Sequence, residues 1–277
     1  MAVRRLRLDA ELVRRGLARS RDHSAELIAD GRVTVNGQRA VKPATAVTVD
    51  ADLVVRQDPD RPDFASRGGH KLAGALARFT PLGLRVAGRR CLDAGASTGG
   101  FTDVLLRAGA AEVVAVDVGY GQLAWALRSD DRVRVHDRTN VRDLTTDLIG
   151  GSVDLVVGDL SFISLRLVLD ALTGVTRSDG DLVLMVKPQF EVGKDRLGKG
   201  GVVREPELWA DAVIGVATAA AERGWGAVGV ATSRLPGPSG NVEFFLWMRH
   251  GHSTVTTEDI TAEVRRSDPA GVPDERL

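Results

Sequence analysis

The 277-residue chain has one cysteine, one tyrosine, five lysines, 4% aromatic residues and no uncharged run longer than ten residues, the length of Val118 to Leu127 and Ala212 to Ala221. A single thiol, Cys91, excludes an intramolecular disulfide framework and a cysteine-based zinc cluster. Ten-residue runs containing Gly or Thr fall far short of the roughly 20 apolar residues a membrane helix needs. The first residues show no apolar signal region. The expectation is a chain that crosses no bilayer, with the cytoplasm as its default compartment. Net charge is lacking too, since 37 basic side chains balance 37 acidic ones. That sum looks like evidence against a polyanionic partner, but it hides how charge is distributed. Residues 1 to 45 hold ten Arg or Lys against five acids, and acids gather in Asp50 to Asp63 and in the tail. Of the basic side chains 32 are Arg, and the five lysines are Lys42, Lys71, Lys187, Lys194 and Lys199. Compositional bias ordinarily explains such a ratio, and it leaves few lysines to check.

Leu6, Ala10, Leu12 and Val13, then Ala25, Leu27 and Ile28, recur at helical spacing. Gly16 separates the two stretches and Ser20 is placed to cap the second. After Gly31 the pattern alternates as Val33-Thr34-Val35 and meets Asn36-Gly37, a strong hairpin signal. A small α+β unit therefore occupies residues 1–60. The polar, proline-bearing stretch Asp58 to Asp63 suits a linker, placed at 61–65. From residue 66 to 249, β-type runs alternate with helical segments: Cys91 to Asp93, Val113 to Asp117, Val133 to Val135, Val153 to Asp159, Leu182 to Lys187, Val228 to Ala231 and Phe244 to Met248. Continuous Val/Leu strands separated by helices imply a doubly wound α/β sheet covered on both faces. The last two runs are joined only by Leu235-Pro236-Gly237-Pro238-Ser239-Gly240, so the final strand can insert antiparallel. Seven strands with that ending favour a methyltransferase-type Rossmann-like sheet over a six-strand dinucleotide fold. The sparse tail, 250–277, reads as a frayed helix or flexible chain.

The first of these strands ends in Asp93-Ala94-Gly95-Ala96-Ser97-Thr98-Gly99-Gly100-Phe101. Glycines there let the backbone approach a ligand, and the following helix start offers free N–H groups. Ser97 stands where a dinucleotide fingerprint would carry its second glycine, which disfavours a pyrophosphate. Asp117 ends the next strand and can accept from ribose hydroxyls. Asp137-Arg138-Thr139-Asn140 places polar groups where an adenine edge would lie. S-adenosyl-L-methionine fits these loops better than NAD. The candidate cofactor residues are Asp93, Gly95, Ala96, Ser97, Thr98, Gly99, Gly100, Phe101, Asp117, Asn140 and Asp159. Two further strand ends carry charge, Asp159 and Lys187. An ammonium between apolar residues loses hydration, which favours the neutral, basic amine. Pairing with Asp159 at a core edge explains such a lysine equally well. Lys71, after Gly68-Gly69, and Glu243, before the last run, can converge on the same place.

The segment Arg7-Leu8-Asp9 through Leu12-Val13-Arg14-Arg15-Gly16-Leu17-Ala18-Arg19-Ser20-Arg21, continued by Gly31-Arg32-Val33-Thr34-Val35-Asn36-Gly37, resembles an S4 RNA-binding domain. Ser66-Arg67-Gly68-Gly69-His70-Lys71-Leu72, the glycine loop, Asp159-Leu160-Ser161-Phe162-Ile163-Ser164-Leu165, Lys187-Pro188-Gln189-Phe190-Glu191 and Gly240-Asn241-Val242-Glu243 look like an FtsJ-type RNA 2'-O-methyltransferase. Together they resemble the TlyA family of ribosomal RNA cytidine 2'-O-methyltransferases, also labelled hemolysins, nearly to residue 249. The resemblance implies a catalytic Lys71, Asp159, Lys187 and Glu243 set with Lys187 as base, no metal, and ribosomal RNA or its subunits as partner, the target lying in 16S RNA, 23S RNA or both. A monomer is expected. Candidate RNA contacts are Arg4, Arg7, Arg14, Arg15, Arg19, Arg21, Lys42 and Arg67. The glycine-rich stretch Phe190 to Arg204 reads as a mobile lid or a plain flexible loop. Phe64 stands where related chains often carry Trp or Tyr. The alternatives are an inactive RNA-binding module and a membrane-active hemolysin. Composition and run length give the second no support.

Overall fold

The computed structural model describes residues 5–56, 63–237 and 239–267. Arg4, Pro238, residues 61–62 of the expected linker and the end of the tail lie outside them. The chain forms two compact units, Met1–Asp63 and Phe64–Leu277.

The first unit comprises β1 (Arg5–Arg7), α1 (Leu8–Arg14), α2 (Arg21–Ala29), β2 (Val33–Val35), β3 (Gln38–Arg39), β4 (Ala46–Thr48) and β5 (Leu53–Val55). Leu8 and Leu12, one turn apart on α1, bury against Leu27 and Ile28 of α2 and Val33 of β2. Ser20 caps α2 by accepting from the His23 N–H at 3.1 Å, as its position predicts. Asn36 (φ 49°) and Gly37 (φ 78°) form the tight turn between β2 and β3. Successive left-handed residues match strand twist, which is why Asn-Gly signalled this hairpin.

The second unit holds α3 (Gly68–Phe79), β6 (Arg90–Ala94), α4 (Gly100–Arg107), β7 (Glu112–Val116), α5 (Trp125–Arg128), β8 (Val133–His136), α6 (Thr146–Ile149), β9 (Val153–Gly158), α7 (Leu169–Val175), β10 (Thr176–Val186), α8 (Pro188–Glu191), α9 (Pro206–Ala221), β11 (Trp225–Thr232), β12 (Phe244–His250) and α10 (Thr257–Arg266). Its sheet has seven strands in the order β11-β12-β10-β9-β6-β7-β8. β8, β7, β6, β9 and β10 run parallel, and β12 inserts antiparallel between β10 and β11. The Val/Leu runs within the strands send apolar side chains to both sides because both faces are covered. On β10, Leu182, Leu184 and Val186 enter one core while Val183 and Met185 enter the other. Each such side chain contributes about 1.5–3 kcal/mol on burial.

The tail departs from its expectation. Residues 257–266 are a helix closed by a capping box between Thr256 and Asp259. It buries Ile260 and Val264, and Glu263 accepts from the Thr232 N–H at 2.9 Å. Two apolar residues one turn apart are too thin a signal to reveal a docked helix in sequence.

Candidate active site

The glycine loop is shaped by what surrounds it. A Cβ on Gly95 (φ +84°) would stand 3.2 Å from the Asp159 carbonyl oxygen and 3.1 Å from the Leu160 side chain. Glycine thus allows the ends of β6 and β9 to approach each other. At Gly100 a Cβ would meet Ser66 Oγ at 2.2 Å and the Gly69 nitrogen at 2.8 Å. Its absence lets the first turn of α3, which carries Lys71, pack against the loop. Asp117 accepts from the N–H groups of Ser97 (2.8 Å) and Gly119 (2.7 Å), fixing its carboxylate beside the loop. Ser97, Thr98 and Asn140 are exposed. The Asn140 side chain accepts from the Arg142 N–H at 3.0 Å and so caps the turn after β8. Phe101 turns into the core against Phe245, with ring centroids 6.0 Å apart. Asp93 is wholly buried, its Oδ2 accepting from Thr102 Oγ1 at 2.7 Å. Burial pushes its carboxyl up to about 7.

Insertion of β12 assembles the charged cluster. Val186 of β10 pairs with Phe244 of β12. The residue after one strand, Lys187, and the residue before the other, Glu243, therefore emerge at the same sheet edge. Lys187 Nζ lies 2.7 Å from Asp159 Oδ1, off the hydrogen-bond axis, and donates to Ser161 Oγ at 2.8 Å. Lys71 Nζ donates to Glu243 Oε2 at 2.5 Å. Lys71, Lys187 and Glu243 are all buried. Lys187 and Glu243 line one cavity of about 560 Å³, walled by Phe162, Gln189, Phe190, Asn241 and the segment around Gly193 to Gly201. Among the described residues, the buried side-chain oxygens without a hydrogen-bond partner belong to Asp93, Asp159, Gln189 and Glu243. Asp159 Oδ1 is met by the Lys187 ion pair, which leaves the oxygens of Asp93, Gln189 and Glu243 as unmet capacity, since buried polar atoms are ordinarily paired.

The structure adds residues that sequence reasoning passed over. Glu191 is buried and accepts from the Leu165 N–H (2.7 Å), Ser164 Oγ (2.6 Å) and Arg166 Nε (3.3 Å). It ties α8, beyond Lys187, to the loop that carries Asp159 and Ser161. Asn241 accepts from the Val203 N–H at 2.9 Å and donates to the Gly201 carbonyl at 3.1 Å, so the glycine-rich segment is fastened at its far end. Phe162 is 91% exposed and held at φ +64°, its ring 5.3 Å from that of Phe190. A bulky residue in the left-handed region is strained, which marks a fixed loop. The available signal was that Glu191 and Asn241 stand inside the short strings that carried the resemblance.

In the first unit, Arg7, Arg14, Arg15 and Arg21 are backed by acids. Asp9 and Glu11 are buried beneath them. Asp9 binds Arg7 at 2.8 Å and Arg21 at 3.0 Å, while Glu11 binds Arg14 at 2.6 Å and Arg15 at 2.7 Å. The Arg7 guanidinium holds the Asp9 carboxyl well below the usual range, and Arg14 with Arg15 holds Glu11 down to about 2. Arg15 also donates to the Val49 and Ala51 carbonyls, each at 2.7 Å, so it serves the fold. Arg14, Arg19, Arg21, Lys42 and Arg67 are exposed.

Comparison with known proteins agrees with this architecture. The family model of the FtsJ-like methyltransferases matches residues 64–250, and that of the S4 domain matches residues 6–53. A 16S/23S rRNA (cytidine-2'-O)-methyltransferase, TlyA of Mycobacterium tuberculosis, is 63% identical over 89% of this chain and 91% of its own length. A candidate rRNA methyltransferase of Bacillus subtilis is 42% identical over 89% and 86%. The solved structure of a candidate hemolysin from Streptococcus thermophilus superposes with a TM-score of 0.72 at 36% identity, covering 96% of both chains. No helix among the described residues is long and apolar enough to cross a membrane. With its S4 domain and its seven-stranded catalytic sheet, the chain belongs to the TlyA family of FtsJ-like rRNA cytidine-2'-O-methyltransferases.

Proposed function

We propose that this protein methylates the ribose 2'-oxygen of cytidine in ribosomal RNA, using S-adenosylmethionine as donor and Lys187 as base. The observation that carries the reading is that Lys187, paired with Asp159, and Glu243, paired with Lys71, line one cavity, while the Asp159 backbone closes against Gly95 of the glycine loop. The residues fit a nucleoside donor. The loop exposes Ser97 and Thr98 without a second dinucleotide glycine, Asp117 is fixed beside it for ribose hydroxyls, and the Asp159 backbone closes against Gly95 from the neighbouring strand. The donor supplies a methyl on a sulfonium, an electrophile that needs no further activation.

A ribose hydroxyl is a poor nucleophile, so the protein has to remove its proton and hold the oxygen in line. Lys187 Nζ is the group placed to take the 2'-proton, and the donor would supply the methyl to the oxygen with its bonding pair left on sulfur. Asp159, 2.7 Å away, stabilises the ammonium that results. Lys71, steered by Glu243, faces the oxygen as negative charge develops on it. Two acids and two lysines keep the pocket near neutral. Exposed Phe162 offers an aromatic face at the cavity for an unstacked base.

The first unit supplies backbone contacts through Arg7, Arg14, Arg19, Arg21 and Lys42. The 63% identical relative is named for both 16S and 23S RNA, which supports both subunits as targets here. A monomer acting in the cytoplasm is the matching setting. The test is to incubate unmethylated small and large subunits with protein and S-adenosylmethionine and map 2'-O-methylation. A new methylated cytidine on each subunit is expected, and its absence from both refutes the assignment.

A further inference from the structure

A base works only when its lone pair points at the proton it takes. The last bond of a lysine side chain, Cε–Nζ, turns freely unless something holds the nitrogen. Asp159 Oδ1 lies 2.7 Å from Lys187 Nζ but off the hydrogen-bond axis, so the carboxylate fixes where the charge sits and not how the nitrogen is turned. Among the described residues, the one hydrogen bond that Nζ makes goes to Ser161 Oγ, at 2.8 Å. The other serine of this loop serves the backbone instead. Ser164 accepts from the Arg166 N–H at 3.3 Å and donates to Glu191 at 2.6 Å. Ser161 stands between two fixed points. Before it, the Asp159 carbonyl closes against Gly95, and after it Phe162 is held at φ +64° and the Leu165 N–H is tied to Glu191 at 2.7 Å. A serine has a single torsion between backbone and oxygen, so a fixed backbone leaves Oγ few places to stand. Ser161 is exposed and lines the same cavity as Lys187.

We propose that Ser161 is a positioning residue for methyl transfer, its hydroxyl turning Lys187 Nζ so that the lone pair meets the ribose 2'-hydroxyl. The inference rests on Lys187 as the base, as proposed above. In the form that accepts a proton, an amine carries two N–H bonds and one lone pair at tetrahedral angles. Ser161 takes one N–H and Asp159 draws the other by its charge. Two acceptors on different sides define the remaining direction, which is left for the substrate. Without the hydroxyl, Nζ keeps its place and its ion pair but turns freely, and an N–H rather than the lone pair can face the 2'-oxygen. Loss of such alignment is costly, since a misplacement of about 1 Å can lower a rate by about a hundredfold.

The test compares full-length wild type, Ser161→Ala, Ser161→Thr, Lys187→Ala and the double variant S161A/K187A on unmethylated ribosomal subunits. S161A should lower kcat by about tenfold or more while KM for the subunits stays within about twofold. S161T, which keeps the oxygen on the same carbon, should recover most of that loss. In the K187A background, S161A should cost less than about twofold further, because a residue that acts through Nζ then has nothing to aim. S-adenosylmethionine, titrated by calorimetry, should bind S161A and wild type alike. A rise in KM at unchanged kcat would make Ser161 an RNA contact. A full further loss in the K187A background, no recovery in S161T, or weakened S-adenosylmethionine binding would make it a support of the fold. Each of these results, with wild type active, overturns the assignment of Ser161 and leaves that of Lys187 standing. A wild type inactive on both subunits overturns the proposed function and this inference with it.

Discussion

The two units treat buried oxygens in opposite ways. In the first, Asp9 and Glu11 are saturated: each carboxylate takes several guanidinium hydrogen bonds, and Asp9 takes the Ala10 N–H as well. In the second, Asp93, Gln189 and Glu243 keep buried oxygens with no hydrogen-bond partner among the described residues, and Asp159 Oδ1 is met only by the Lys187 ion pair. An RNA-binding surface has to present cations in set directions before a mobile polyanion arrives, and buried acids under half-exposed arginines fix those directions. A catalytic pocket has to receive polar groups that arrive with the ligands. Buried acceptors left unmet near it cost stability, which is the usual trade at a functional site.

The sharpest break in the comparison is Lys187→Ala. Loss of a general base costs on the order of 10²–10⁴ in rate. Methyl transfer should fall by at least about a hundredfold while rRNA affinity, measured by filter binding, stays within about twofold. Equal loss of both would mean that the lysine supports the fold.

Asp93→Asn probes what an orphan oxygen costs. The folded carboxyl is raised to about 7 from an ordinary 3.8, so between those values the native state holds a proton that the unfolded chain has released. Stability should fall as pH rises through this window and level off above it, by at most about 4 kcal/mol. Asn is neutral throughout. Urea unfolding at pH 8 should show the variant gaining on wild type relative to pH 4, and parallel pH profiles would show that Asp93 is not protonated in the native state.

Glu191→Ala tests the brace. It leaves the Leu165 N–H and Ser164 Oγ without an acceptor, so a loss of about 2–3 kcal/mol is expected. Glu191→Gln, which keeps one acceptor, should lose less and restore part of kcat. Equal losses in the two variants would assign the residue a packing role.

The smallest effect belongs to the saturated surface. Arg14→Ala should lower the slope of log affinity against log salt by about one, or less where Glu11 already neutralises the guanidinium. Acid has a related effect. Because Glu11 is held at about 2 from 4.5, its stabilisation is complete above 4.5 and lost as pH falls toward 2. Hydrogen exchange in α1 should quicken over that range in wild type and less in Glu11→Gln.

Much of the fold was readable because its rules are local. Continuous Val/Leu runs announced covered parallel strands, Asn36-Gly37 the hairpin, and the short Leu235 to Gly240 link the reversed last strand. The four charged residues were readable by position, since strand ends and helix starts meet at one edge of such a sheet. Partnerships were not readable. Nothing in the spacing says that Glu191 reaches back to Leu165, that Asn241 holds Val203, or that Asp9 and Glu11 lie under the arginines, because each bond depends on which surfaces fold together. The docking of α10 escaped for the same reason.

The reversed strand β12 also dictates when the enzyme can work. Its first neighbour, Glu243, meets Lys71 across 172 positions of sequence, one of the longest closures in the catalytic unit, and contacts of that span form late in folding. The glycine loop, Asp159 and Lys187 belong to other strands of the sheet, and β12 alone brings Lys71 its Glu243 partner. Completing the charged cluster therefore requires the whole sheet, down to its reversed strand.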